Sequence, residues 1–343
     1  MARRRACPPP HPSRTATAGD NGGVRPTPPA GLSPLLPSPL QQVRDDRFER
    51  HGVRLLLKRD DLIHPELPGN KYRKLALNLS AAADAGHDTL LTFGGAYSNH
   101  LRATAAAGRL LGFATIGVVR GDELAGRPLN PSLARCAADG MRLHFVDRST
   151  YRAKGDPATL HALLRATEAR DAYVIPEGGS NTLAVRGCAA LGEELREHTD
   201  VAAVACGTGG TLAGLAAGIG PHRRALGIPV LKGGFLGPEI RALQQSALGA
   251  PSANWSLDER FHCGGYARTP PSLLAFAEDF ERRHGRETGL SVERLYVAKL
   301  LRALTTLVEE GAFPPGTRLT AVITGARDEP APSPAARQSS TSR

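Results

Sequence analysis

Val201-Ala202-Ala203-Val204-Ala205-Cys206 runs directly into Gly207-Thr208-Gly209-Gly210-Thr211. Six small apolar residues ending in a glycine-rich turn, with a helical run behind it, describe a buried parallel strand feeding a helix. No position in the strand is polar, so both of its faces need cover, as in an α/β fold. The glycines let backbone N–H groups approach a ligand closely, and the helix dipole adds positive potential, so Gly207 to Thr211 suit a phosphate. Walker A spacing and its lysine are absent, and Gly207-Thr208-Gly209 followed by Gly210-Thr211-Leu212 is not GxGxxG. A tight strand-to-helix turn without a ligand is the plainer reading of the same residues.

The alternation continues on both sides. Upstream, Val53–Lys58 reads as a strand and Asp60-Asp61-Leu62 as the start of a polar loop. Then come a helix over Lys71–Ala85, a strand over Asp88–Phe93, a helix over Asn99–Leu111, a strand over Ala114–Arg120, a helix over Pro131–Asp139 and a strand over Arg142–Val146. A second series has strands at Ala172–Ile175, Val201–Cys206 and Val230–Phe235, with helices at Thr182–His198 and Thr211–Gly218. One long helix over 291–310 and a last strand over Leu319–Ile323 close it. Two series predict two α/β domains, each an open sheet between helix layers, with a cleft between them. Residues 1–30, rich in Pro, Gly, Arg and Thr, and residues 327–343 read as disordered ends.

Net charge is +10, but residues 1–40 hold five Arg and one Asp, and the remainder carries no block of like charge. Nucleic acid is therefore not an expected partner. No apolar run is long enough to span a bilayer, and the basic start Met1-Ala2-Arg3-Arg4-Arg5 is not followed by an apolar core. Five scattered cysteines without a CxxC pair fit a reduced, cytoplasmic setting. No His/Cys cluster has zinc spacing, so no metal is expected.

The chain has six lysines against 37 arginines, and only a primary amine can form a Schiff base. Gly69-Asn70 sets Lys71 at a bend opening a helical run, whereas Lys74, one turn on, reads as a surface residue. Ser98-Asn99-His100 falls where a strand meets a helix, at the carboxyl edge of a sheet. Its N–H groups and the Ser98 hydroxyl suit a substrate carboxylate, and the Asn99 amide can donate to a phenolic oxygen; simple N-capping explains the same residues. Glu177-Gly178-Gly179-Ser180-Asn181 is a second glycine turn, a hinge or a site wall. Tyr266 and Tyr296 are candidate acids or carboxylate donors. Ser98 lacks a GxSxG setting. An amine, polar groups for a flat ring and a phosphate cradle together point to pyridoxal 5'-phosphate (PLP).

In that order the motifs Lys58-Arg59-Asp60-Asp61-Leu62, Gly69-Asn70-Lys71, Gly94-Gly95-Ala96-Tyr97-Ser98-Asn99-His100, Pro176-Glu177-Gly178-Gly179-Ser180-Asn181, Gly207-Thr208-Gly209-Gly210-Thr211 and Gly264-Gly265-Tyr266 resemble the 1-aminocyclopropane-1-carboxylate (ACC) deaminase and D-cysteine desulfhydrase family. The resemblance covers about residues 32–325. It implies the tryptophan-synthase-β-like PLP fold (fold type II), commonly a homodimer. A smaller domain over residues 72–181 would be inserted into a larger PLP-binding one over 31–71 and 182–326. Carried over by motif, Lys71 is the Schiff-base lysine and Asn99 holds the phenolic oxygen. Ser98, with His100 and Tyr266, meets the substrate, and Gly207, Thr208, Gly209, Gly210 and Thr211 hold the phosphate. Tyr296, in Leu295-Tyr296-Val297-Ala298-Lys299, matches the active-site tyrosine.

Two departures stand out. Val297 replaces the family's Glu or Thr, and Ala326-Arg327-Asp328-Glu329 leaves the closing motif after Thr324-Gly325, where Thr324 would face the pyridine nitrogen. The resemblance implies a PLP-dependent lyase or deaminase of a small amino acid, first D-cysteine desulfhydrase and alternatively ACC deaminase. A non-catalytic PLP-binding paralogue and a binder of another phosphate compound remain as alternatives.

Overall fold

The computed structural model describes residues 31–67 and 69–325, so the two ends read as disordered lie outside the described residues. The chain opens with β1 (Leu40–Val43), α1 (Asp46–Glu49), β2 (Arg54–Lys58) and α2 (Asn70–Asp84). A run of alternating elements follows: β3 (Thr89–Gly94), α3 (Asn99–Leu111), β4 (Ala114–Arg120), α4 (Pro131–Ala138) and β5 (Met141–Val146). Helices α5 (Arg148–Arg152) and α6 (Pro157–Ala166) lead to β6 (Tyr173–Ile175) and α7 (Thr182–Leu195). Then come β7 (Val201–Cys206), α8 (Gly210–Ile219), β8 (Arg224–Pro229), α9 (Leu236–Leu248) and β9 (Trp255–Leu257). Helices α10 (Pro271–Thr288) and α11 (Val297–Glu309) precede β10 (Arg318–Val322).

These strands form a six-stranded sheet in the order β1-β2-β10-β7-β8-β9 and a four-stranded sheet in the order β5-β4-β3-β6. Every pairing is parallel except β1 with β2. The uniformly apolar β7 has its physical reason in the two cores of the larger sheet. Val201, Ala203 and Ala205 face a core with α10 and α11, while Ala202, Val204 and Cys206 face one with α7, α8 and α9. In the smaller sheet, α2, α3 and α4 cover one face, and Tyr151 of α5 and Leu163 of α6 cover the other. Among the described residues no helix is long and apolar enough to cross a membrane.

Three sequence expectations are corrected. The strand expected over Val230–Phe235 is β8, six residues earlier, and residues 230–235 are loop. Pro229 ends β8 beyond the reach of β9, which pairs only Ala225 to Gly227, so its missing N–H leaves no ladder bond unmade. The helix expected over 291–310 starts only at Val297. Glu293 stops it from starting earlier, because its carboxylate accepts the N–H groups of Leu295, Tyr296 and Val297 at 2.7, 2.7 and 3.1 Å.

The expected polar loop after β2 is buried ionic structure instead. Arg73 makes a two-pronged contact with Asp60 (Nε to Oδ2 and Nη2 to Oδ1, both 2.8 Å) and reaches Glu194 Oε1 at 2.9 Å. Lys58 Nζ meets Glu194 Oε2 at 2.6 Å, and Arg59 pairs with Asp61. This network ties β2, α2 and α7 together directly behind Lys71 and Lys74. A buried ion pair costs about 3–5 kcal/mol when one partner is removed, so it fixes the helix rather than decorating it.

Candidate active site

The first turn of α2 carries the amine. Gly69 precedes it with φ +70°, and a Cβ there would stand 1.7 Å from the Thr324 carbonyl oxygen, so only glycine lets β10's exit approach the start of α2. Lys71 is half-buried and faces a cleft of about 940 Å³. Its Nζ donates to Asn70 Oδ1 at 3.1 Å, and the Asn70 amide donates onward to Thr211 Oγ1 at 2.8 Å. The other lysines are committed or remote. Lys58 pairs with Glu194, Lys154 with Glu177 at 3.0 Å, Lys299 donates to the Gly265 carbonyl at 2.9 Å, and Lys232 is exposed. Desolvation, followed by the charge of Lys74, lowers Lys71 to about 7. A good part of it is therefore a free, nucleophilic amine at neutral pH.

Lys74, expected at the surface, is buried. It lies on the same helix face as Lys71, and its ammonium donates to the Gly178 carbonyl at 2.9 Å, Ser180 Oγ at 2.8 Å and Thr208 Oγ1 at 3.3 Å. Ser180 Oγ and Thr208 Oγ1 lie 2.5 Å apart. One side chain thus gathers α2, the Glu177–Ser180 turn and the glycine loop. Burial lowers Lys74 to about 8.

The loop from Gly207 to Gly210 has no side-chain cap, so the first N–H groups of α8 open toward the cleft. A Cβ at Gly210 would meet Ser180 Oγ at 2.7 Å and Lys74 Nζ at 3.2 Å; one at Gly207 would meet the Tyr296 hydroxyl at 3.2 Å. Gly207, Thr208, Gly209 and Thr211 line the cleft, with Gly210 directly behind Lys74.

On the opposite wall Ser98 caps α3 by accepting the Leu101 N–H at 3.3 Å, and its hydroxyl proton stays available. Asn99 Oδ1 accepts from Arg102, which turns the Asn99 amide nitrogen outward as a donor. His100 is buried, with Nε2 2.7 Å from Thr92 Oγ1. Tyr266 and Tyr296 meet edge to face, ring centroids 6.1 Å apart, and Tyr266 donates across the cleft to the Tyr97 carbonyl at 3.5 Å. Burial, the neighbouring Tyr266 and Glu293 hold the Tyr296 phenol well above its usual range, so it keeps its proton. Thr324 lines the floor.

The structure therefore brings Lys71, Ser98, Asn99, His100, Gly207 to Thr211, Tyr266, Tyr296 and Thr324 to one cleft or its wall. Sequence reasoning missed Lys74, Asn70, Arg102 and Glu293. Lys74 had a signal, the three-residue spacing from Lys71; Glu293 had none. Val297 is fully buried in the core against α10 and does not line the cleft, whereas Glu293 does. Glu293, four residues before Val297, is one of several carboxylates along the cleft, with Asp61, Glu177 and Glu239 among the others.

The donor set fits PLP: an amine in a desolvated wall, uncapped N–H groups beside a lysine for a dianion, and an oriented amide for a phenolic oxygen.

Comparison with known proteins agrees. Residues 31–325 match the family described as pyridoxal-phosphate dependent enzyme. The chain is 36% identical over 184 residues to the bifunctional D-cysteine desulfhydrase/1-aminocyclopropane-1-carboxylate deaminase, mitochondrial, of Arabidopsis thaliana; the match takes in 49% of this chain and 45% of that protein. It is 30% identical over 286 residues to a putative 1-aminocyclopropane-1-carboxylate deaminase of Thermotoga maritima, covering 79% of this chain and 88% of that one. The crystal structure of an ACC deaminase homologue superposes with a TM-score of 0.73 at 27% identity, covering 84% of this chain and 89% of that chain. The chain belongs to the pyridoxal-phosphate dependent enzyme family, in the group of its ACC deaminase and D-cysteine desulfhydrase relatives.

Proposed function

We propose that this chain is a PLP-dependent lyase of a small amino acid, foremost a D-cysteine desulfhydrase that converts D-cysteine and water to pyruvate, hydrogen sulfide and ammonia. The observation that carries this reading is Lys71: a desolvated amine held near pH 7, between an uncapped phosphate turn and a capped helix start. The Arabidopsis relative named for both activities supports the substrate class.

Bound PLP supplies an aldehyde that captures amines and a ring that takes up the electron pair released at the α-carbon. Lys71 would hold it covalently, Lys74 and residues 207–211 would hold its phosphate, and Asn99 its phenolic oxygen, with Thr324 at the pyridine nitrogen. The substrate carboxylate would meet Ser98 and the N–H groups of Asn99 and His100. Lys71, free as an amine once the substrate amine has taken its place, would accept the α-proton. Tyr296, protonated at working pH, can deliver a proton to a departing group, with Tyr266 closing the cleft over it.

ACC, which lacks an α-hydrogen, is the second reading, and Tyr296 and Ser98 would then act at a β-carbon. A homodimer, a cytoplasmic setting and the division into residues 31–71 with 182–326 and residues 72–181 belong to the same proposal. The test is pyruvate and sulfide release from D-cysteine by PLP-loaded protein, with ACC and L-cysteine alongside. Turnover of D-cysteine supports the first reading, and 2-oxobutyrate from ACC alone would replace it with the second.

A further inference from the structure

We infer that Lys299 is a positioning residue of the active site, which fixes Tyr266 against Tyr296 by holding the Gly265 carbonyl. This rests on the reading of the cleft as an amino-acid site in which the two phenols act together. Lys299 is fully buried on α11, and its partners are backbone carbonyls rather than a carboxylate. Its Nζ donates to the Gly265 carbonyl at 2.9 Å and reaches the Val230 carbonyl at 3.5 Å. An amine in a hydrophobic core is costly unless acceptors meet it. The two carbonyls make this position tolerable for lysine, and the lysine in turn ties two loops to α11. Val230 opens the loop after β8, and Gly265 directly precedes Tyr266. Leu231 and Phe235 of the first loop and Tyr266 and Ala267 of the second line the cleft.

The Tyr266 loop needs a tie from outside. Cys263, Gly264, Gly265 and Ala267 have φ of +56°, +91°, +125° and +58°. Cys263 and Ala267 carry side chains, for which this region is unfavourable, so surrounding contacts must impose the shape. The loop's own bonds are short-range: the Gly264 N–H to His262 Nδ1 at 2.8 Å, the Gly265 N–H to the His262 carbonyl at 3.0 Å and the Arg268 N–H to the Gly265 carbonyl at 3.3 Å. Lys299 adds the bond to the helix behind, one residue before the phenol. Tyr296 immediately precedes α11, and Lys299 lies in its first turn. One helix start therefore places the first phenol directly and the second through the Gly265 carbonyl. That is what sets the rings edge to face at 6.1 Å. Lys299 does not itself line the cleft, so it acts through Tyr266.

The experiment is fluorine-19 NMR of the whole chain labelled with 3-fluorotyrosine, with and without PLP, each signal assigned by replacing one tyrosine at a time with phenylalanine. It is paired with kinetics on whichever of D-cysteine and ACC is turned over. The variant is Lys299→Met, which keeps an unbranched stem and removes the donor. Lys299→Gln, whose amide stops short of Gly265, takes its place if the first variant does not fold. Loss of the donor should move or broaden the Tyr266 and Tyr296 signals and leave those of Tyr72, Tyr151 and Tyr173 in place. It should lower kcat about 10–100-fold with cofactor affinity unmoved, and most of that loss should vanish in a Tyr266→Ala background. Unmoved Tyr266 and Tyr296 signals, or losses that multiply when Lys299→Met and Tyr266→Ala are combined, overturn the inference. Absence of cofactor absorbance would instead count against the PLP reading and leave the cofactor-free fluorine spectrum as the test of this one.

Discussion

Two strand-to-helix turns face each other across the cleft, and they are finished differently. The β7–α8 turn ends in Gly209 and has no side-chain cap, so its N–H groups point at open space with Lys74 beside them. The β3–α3 turn ends in Ser98, whose hydroxyl oxygen already takes the Leu101 N–H. Uncapped N–H groups plus an ammonium suit a dianion; a capped turn with one hydroxyl proton to spare suits a single carboxylate. The difference assigns phosphate to one wall and substrate to the other, with Lys71 reaching both.

The largest effect should come from the residue the two walls share. Lys71→Ala should lower turnover at least about 10³-fold and remove the long-wavelength absorbance of covalently held cofactor, while the far-ultraviolet circular dichroism stays that of the parent. Next, Gly210→Ala drives a methyl toward Ser180 Oγ and Lys74 Nζ. Cofactor affinity measured by fluorescence titration should fall on the order of 10–100-fold, with substrate KM at saturating cofactor nearly unmoved.

Lys74→Gln should weaken cofactor binding about tenfold and also shift a titration. Lys74's charge is the second cause, after burial, holding Lys71 near 7. Removing that charge raises the Lys71 pKa, so the pH midpoint for acylation of Lys71 in cofactor-free protein should move up. A downward shift would contradict the placement of the two amines. The smallest change is Ser98→Ala. It removes a helix cap worth about 1 kcal/mol and should raise substrate KM a few-fold, leaving cofactor affinity alone. If Ser98→Ala and Gly210→Ala both act on cofactor affinity, the two walls are not divided as argued.

Much of this was legible in the chain because burial on both faces leaves a simple mark. The apolar Val201–Cys206, and Asn99–Leu111 and Ala114–Arg120 with the bounds found in the structure, needed only the local pattern. Lys71 and the glycine loop were legible through chemistry, since few side chains can serve as an amine and few turns expose N–H groups. What stayed hidden depends on partners far along the chain. Lys74 read as a surface lysine because its acceptors at Gly178, Ser180 and Thr208 lie 104 to 134 residues away. Asp60 read as the start of a polar loop because its partner Arg73 lies 13 residues on, and Glu194, which completes the network, sits 121 residues beyond Arg73. Val297 drew attention as a missing acid, yet the helix start turns it into the core and lets Glu293 face the cleft.

The most direct measurement is borohydride reduction of the PLP-loaded protein, followed by proteolysis and mass spectrometry of every lysine peptide. Pyridoxyl on Lys71 alone, with Lys74 unmodified, is the expected result. Label on Lys74, on Lys232 or on no lysine would contradict the assignment of Lys71 as the amine that both walls serve.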